Sequence, residues 1–240
     1  MPEWWTYTLS DFLMFSPRTY FRMLERHNEA VWPAQIVTVG IGLGALAVMR
    51  RAWPIGSRVL AGTLAGLWLW VGVSFLWQRY AAINWAAAYI APLFVLEAVL
   101  LLWVGAVRGR LTFSLDRTGS SLAGLALWIG SVVIYPAVAP LAGRPWRQAE
   151  VFGVAPDPTA IASLGVLLLA GARPRWILIV IPMIWCVFSG LTLVAMESKL
   201  AIVPAGAAVL VLLATARGPE MRGPSSGDDA HEVREGGSAP

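Results

Sequence analysis

Seven apolar runs dominate this chain, at about residues 31–49, 59–77, 83–107, 121–142, 158–172, 176–196 and 200–216. At ~1.5 Å per residue, a helix through most of them reaches or nearly reaches the ~30 Å of a bilayer's hydrocarbon. Apart from Glu97, the charges fall in the breaks between runs and at the two ends of the chain. Charged residues make up only 13% of the sequence and hydrophobic ones 58%, where a soluble domain carries ~25% charge. A soluble fold of this length cannot hide so much apolar surface. The expected fold is all-α, a polytopic transmembrane helical bundle of about seven spans, with six as the alternative. The alternative exists because 158–172 has 15 residues, or only ~22 Å of helix. That segment starts earlier at Pro156, thins the bilayer, or is re-entrant.

Basic residues orient the bundle. With seven spans, one side collects Arg50, Arg51, Arg58, Arg108, Arg110, Arg117, Arg173, Arg175 and, in the tail, Arg217, Arg222 and Arg234. The other side's loops carry Arg79, Arg144, Arg147 and Lys199, plus Arg18, Arg22 and Arg26 of the N-terminal segment. The positive-inside rule then sets the N-terminus outside and the C-terminus in the cytoplasm. The net charge of +4 is accounted for by these loops, and nucleic acid is not an expected partner.

Three regions are expected. Residues 1–30 form an interfacial amphipathic segment, 31–216 the bundle, and 217–240 a disordered cytoplasmic tail rich in Gly, Pro, Ser and charge. Ser16 before Pro17 is a helix start, a capping hydroxyl ahead of proline at the first helical position. Tyr20, Phe21, Leu24 and Val31 then share one face, away from Arg18, Arg22, Glu25, Arg26 and Glu29. The acidic N-terminus lacks the basic region of a cleaved leader. Trp4, Trp5, Trp53, Trp77, Trp85 and Trp176 sit at run ends, as an aromatic belt requires. Gly40/Gly44 and Gly62/Gly66 have the spacing of close helix contacts, with Gly124, Gly130, Gly165 and Gly190 as further candidates. Pro92, Pro136, Pro182 and Pro204 lie within or near spans, where each frees a backbone carbonyl or kinks its helix.

Glu97 is the one ionisable residue well inside a run. Its neighbours one turn away, Leu93, Phe94, Leu100 and Leu101, offer no partner, so the neutral acid is the expected form. It is a candidate proton or ion site, set against a structural acid bonded to another helix. The outer loops carry the second candidate set, Arg79 and Asn84, then Gln148, Glu150 and Asp157. There, mixed charge, amide and Trp suit a polar vestibule for a small solute, or alternatively plain interfacial anchoring. Cys186 is the single cysteine and the histidines are His27 and His231. No disulfide, HExxH, phosphate loop or GxSxG occurs, so no catalytic residue, metal site or cofactor is expected. A retinal protein needs a lysine deep in its last helix, and Lys199 lies at that helix's edge.

The stretches Trp4-Trp5-Thr6-Tyr7 through Ser16-Pro17-Arg18-Thr19-Tyr20, Trp32-Pro33-Ala34-Gln35, Trp77-Gln78-Arg79-Tyr80 with Ile83-Asn84-Trp85, and Arg144-Pro145-Trp146 through Gln148-Ala149-Glu150-Val151-Phe152-Gly153 carry a resemblance. They resemble a bacterial family of multi-pass membrane proteins classed as a domain of unknown function, over about residues 1 to 200. The resemblance implies a bacterial inner-membrane location and assigns no role to any single position. The expected function is a small permease- or channel-like protein for an ion or small solute, with Glu97 as coupling or selectivity group. The alternative is a non-transporting scaffold or accessory subunit. Expected partners are the lipid bilayer, a small solute or ion, and a second copy or another subunit of a membrane complex.

Overall fold

The computed structural model describes residues 13, 15–115, 118–170 and 175–216. The expected tail at 217–240, Trp4 and Trp5 of the belt, and Arg117 and Arg173 of the charge count lie outside them. The described chain is mostly helical. Helix α1 spans Pro17–Ala30, α2 Ala34–Arg51, α3 Pro54–Val71, α4 Trp85–Leu100, α5 Gly119–Ile129, α6 Val138–Leu141, α7 Pro156–Leu168, α8 Arg175–Ala195 and α9 Ile202–Ala216. Helices α3, α4 and α5 continue into π-helical turns at Gly72–Trp77, Leu101–Val107 and Gly130–Ile134. Six stretches are long and apolar enough to cross a membrane: Ala34–Arg51, Pro54–Ala82, Trp85–Val107, Gly119–Leu141, Arg175–Ala195 and Lys199–Ala216. The protein is an integral membrane protein built as an all-α bundle.

The short seventh run is the axis of the bundle. Every residue from Ala149 to Ala170 is buried, and α7 packs against α3, α5, α8 and α9. Its 13 residues give only ~20 Å of helix, yet it joins the two ends of the bundle. At one end, the Ala149 carbonyl accepts from Asn28 of α1; at the other, Ala170 bridges to Phe113 in the α4–α5 connection. Loops dip inward at both ends to meet it, burying Val151–Ala155 on one side and Leu111 and Phe113 on the other. A helix enclosed by other helices has no hydrocarbon thickness to match, which is why so short a run suffices.

Small residues and satisfied hydroxyls hold α7 in place. At Gly124 of α5 an added Cβ would lie 2.5 Å from the Gly165 carbonyl oxygen, and at Gly165 one would lie 2.7 Å from that of Gly124. The two backbones therefore touch, as small residues permit in lipid, where packing rather than the hydrophobic effect joins helices. Ser163 accepts from Trp68 Nε1 of α3 at 2.8 Å and donates to the Thr159 carbonyl at 2.9 Å. Thr159 donates to the Ala155 carbonyl and accepts from the Gly153 amide at 2.8 Å. Gly153 has φ of +73°, and a Cβ there would meet Thr38 and Leu67 within 3.0 Å. Only glycine permits that turn to press between α2 and α3.

The Gly-x-x-x-Gly expectation is corrected in the first two spans. Gly40, Gly44 and Gly66 face open space, and Gly62 makes only an ordinary contact with Ala106. The close approach on α2 is made by Gly42, against Val132 and Phe152, with its carbonyl accepting from Trp128 Nε1 at 3.1 Å. Gly130 also faces open space, and Gly190 meets Pro204 only at 3.9 Å. Spacing alone does not say which glycine faces the neighbour, because several small residues share each helix.

Candidate functional site

Asp157 stands at the second position of α7, between Pro156 and Pro158. The prolines carry no N–H, so the carboxylate finds its partners across the bundle instead. Tyr135 donates its hydroxyl to Oδ2 at 3.0 Å, Ser189 donates to the same oxygen at 2.8 Å, and Trp185 Nε1 donates to Oδ1 at 2.7 Å. Burial raises this carboxyl above its ordinary value, and the three donors, from Ser189, Trp185 and Tyr135, pull it back toward the charged form.

Glu150 is buried nearby, and its circumstances are opposite. Its Oε2 has no hydrogen-bond partner. Burial first, and then the Asp157 charge, push its carboxyl up to about 8 against the pull of Arg144. Arg144 is itself fixed by stacking over Phe21 of α1 at 4.0 Å. The two buried carboxyls are thus both pushed toward the neutral form, and they differ in their donors: Asp157 has three and Glu150 Oε2 has none.

Helix α1 roofs this pair. Ser16 caps it, accepting from the Thr19 amide at 3.3 Å, with Pro17 in the first turn. Asn28 donates to the carbonyls of Arg147 and Ala149, both at 2.8 Å. Arg147 donates to Glu29 at 2.8 Å and Gln148 donates to Glu25 at 3.2 Å. The buried Tyr20 ring packs against Tyr80 at 5.5 Å. Burial, then the charges of Glu150 and Asp157, hold the Tyr20 phenol well above its ordinary value, which places it over the pair. His27 is buried edge-on to Phe75 at 5.1 Å. Burial and the Arg79 charge lower its pKa to about 4, against a backbone contact at Val154, so it is neutral at pH 7.

The candidate residues thus divide. Glu150 and Asp157 come together, under Tyr20 and beside Tyr135. Asn84 caps α4 through the Ala86 amide at 3.1 Å and donates to the Tyr80 hydroxyl at 3.1 Å, at the edge of the same cluster. Gln148 belongs to the α1 contact, and Arg79 faces His27 and an outer groove. Glu97 stands apart on α4, fully buried, with both carboxyl oxygens lacking a hydrogen-bond partner. One turn from it, Phe94 packs on Trp68 at 4.3 Å and Trp185 at 5.2 Å. Among the described residues, no three His, Cys, Asp or Glu side chains converge as a metal would require.

Sequence reasoning missed Tyr20, Tyr135, Trp185 and Ser189 as members of the site. Inside apolar runs, aromatic rings read as core or belt, and a lone serine as a self-satisfied helix residue. Tyr135 also lines, with Ser131, Leu127, Ile161, Gly206 and Leu210, a cleft of about 270 Å³ between α5 and α9. Ser131 has no partner for its hydroxyl oxygen.

Residues 18–221 match the sequence model described as "Family of unknown function (DUF6064)", and the chain belongs to that family. No curated protein and no solved structure matches it.

Proposed function

We propose that this member of the DUF6064 family is a proton-coupled permease for a small solute or ion, with Glu150 and Asp157 as its proton-carrying pair. The observation that carries the reading is their asymmetry: Asp157 receives three side-chain donors while Glu150 Oε2 receives none. In this reading the pair's proton rests on Glu150, whose Oε2 lacks a donor, and its departure leaves two adjacent buried charges. That state is costly unless a cation or a solute donor enters or α1 lifts to admit water. The α1 roof, held by Asn28, Glu25 and Glu29, is the element whose movement exposes the pair. The sequence expectation centred on Glu97 becomes a second step in this reading, one helix away through Phe94 and Trp185. The reading assigns no enzymatic activity, and it sets the protein in a bacterial inner membrane with α1 on the outer face.

The experiment is flux in proteoliposomes. The full chain is reconstituted with a pH dye inside, and a panel of ions and small solutes is added outside. The reading expects one solute class to drive proton movement, with Glu150→Gln abolishing it and Asp157→Asn impairing it.

One observation favours the scaffold reading. Neither Glu150, Asp157 nor Glu97 lines the α5–α9 cleft or the outer groove, and α7 is packed on every side. An absence of flux with every solute, in protein that is folded, supports that reading instead.

A further inference from the structure

We propose that the groove between α1 and the α3–α4 connection binds the phosphodiester headgroup of an anionic phospholipid. Arg18, Arg22 and Arg26 follow one another at four-residue steps on α1. Their guanidiniums form a stripe ~12 Å long at ~1.5 Å per residue. Arg79 joins from the opposite wall, and with Met23 and Ile83 these side chains line a groove of about 640 Å³.

No carboxylate lines this groove. The acids of α1 turn the other way, Glu29 to Arg147 and Glu25 to Gln148. Among the described residues the Arg147–Glu29 pair is the one ion pair. Four like charges therefore gather without neutralisation, which raises the local potential and favours an anion. Guanidinium forks match the paired oxygens of a phosphate.

The walls select a lipid over a free anion. Met23 and Ile83 give the groove an apolar side, which an inorganic ion cannot use. The indoles of Trp77 and Trp85 flank the Arg79 loop, 59% and 62% exposed, and such rings sit at headgroup level. A headgroup among the arginines leaves its acyl chains against that apolar side. The lipid then braces α1 against the bundle, whether or not the carboxyl pair beneath carries protons.

The test titrates the full-length protein in neutral detergent with phosphatidylglycerol, phosphatidylcholine or inorganic phosphate. Thermal unfolding is followed, and native mass spectrometry counts bound lipid. Phosphatidylglycerol should raise the midpoint saturably, less so in high salt, and the other two should not. The double change Arg22→Gln with Arg79→Gln should weaken the response about thirtyfold, as losing two basic contacts with an anionic lipid implies. Arg50→Gln with Arg51→Gln, at the other end of the bundle, should leave it unchanged. An equal response to phosphatidylcholine, or an undiminished one in the double variant, overturns the proposal. So does saturation by inorganic phosphate that displaces phosphatidylglycerol, which marks a free-anion site. Where the variant fails to fold, the unaltered protein decides: a phosphatidylglycerol preference insensitive to salt overturns the assignment.

Discussion

Trp185 Nε1 donates to Asp157 Oδ1 across 2.7 Å, tying the middle of α8 to the first turn of the enclosed helix α7. Both side chains are buried, so the bond cannot be exchanged for one to water. Hydrogen bonds to a charged group contribute ~1.5–3 kcal/mol. Trp185→Phe should therefore destabilise the protein by about that much, with a further small loss from packing. Ser189→Ala removes a second donor, and the two changes together should be non-additive because the donors serve the two oxygens of one carboxyl group. Thermal unfolding of the single and double variants measures this; strict additivity would mean the two donors do not act on one carboxylate.

His27 of α1 and Glu150 beneath it give stability opposite pH dependences. The folded protein raises Glu150 from 4.5 to about 8, so the folded state holds the extra proton between those values. Its contribution is present below pH 4.5 and is lost as pH rises through 8. His27 is lowered from 6.5 to about 4, so the unfolded state binds the extra proton there. Its contribution is present above pH 6.5 and is lost as pH falls through 4. Unfolding temperature against pH should thus decline on both flanks. Between pH 4.5 and 6.5 the two oppose each other. Glu150→Gln should therefore remove the loss above 6.5 and leave stability rising from 4 to 6.5. His27→Phe should remove the loss below 4.5 and leave it falling from 4.5 to 8. A variant that leaves its own flank unchanged contradicts the assignment.

The contact of α5 with α7 separates two kinds of glycine. Gly124→Ala or Gly165→Ala drives a methyl into backbone oxygen at 2.5 or 2.7 Å, and a packed backbone cannot yield as a side-chain tip can. Overpacking of this kind costs ~1–3 kcal/mol or more. Gly40→Ala and Gly66→Ala meet nothing within 4 Å and should be neutral or mildly stabilising through helix propensity, by up to ~1 kcal/mol. Melting temperatures of the four variants test the ordering. Equal losses in both pairs would refute the backbone contact.

Much of this was readable beforehand, and the unread part has a common cause. The seven runs were legible because charges and prolines break them, and Arg or Trp marks most of their ends. Glu150 and Asp157 stood out as acids beside apolar runs. That they meet was not legible, because the inward dip of Val151–Ala155 depends on Gly153 fitting between α2 and α3. The enclosure of α7 was hidden for a related reason: a run of 15 apolar residues looks the same facing lipid or facing helices. Tyr20, Tyr135 and Trp185 were hidden by being apolar enough to pass as core. What marks them is a polar atom aimed at a partner far away in the chain, which periodicity cannot show.

The two ends of α7 also bear on topology. Arg147, with 71% of its side chain exposed, lies at the α1 end, and the exposed Arg51 lies at the other. Single cysteines at Arg147 and Arg51, in a Cys186→Ser background, should react with a membrane-impermeant thiol reagent from opposite sides. In intact cells Arg147→Cys should label and Arg51→Cys should not. Labelling of both from one side would refute a bundle that crosses the membrane between them.

Glu97 offers the sharpest separation between a structural and a working acid. Its two oxygens are buried without a hydrogen-bond partner, and the ring of Phe94 one turn away packs on Trp68 and Trp185. Leaving a polar group unsatisfied in such a place costs ~1–3 kcal/mol. An apolar residue of similar volume recovers that cost, so Glu97→Met should raise the unfolding temperature. Glu97→Gln keeps the size and the penalty, so stability should change little. If the acid takes part in proton movement, both variants should lose any pH-dependent flux that the unaltered protein shows, the more stable one included. Gained stability with lost flux is the signature of a group kept for work at the expense of stability. Gained stability with flux intact would remove Glu97 from the pathway and leave Glu150 and Asp157 as its only buried acids among the described residues. A loss of stability in Glu97→Met would mean that the carboxyl has a partner in the folded protein, and the reading of it as unsatisfied would fall.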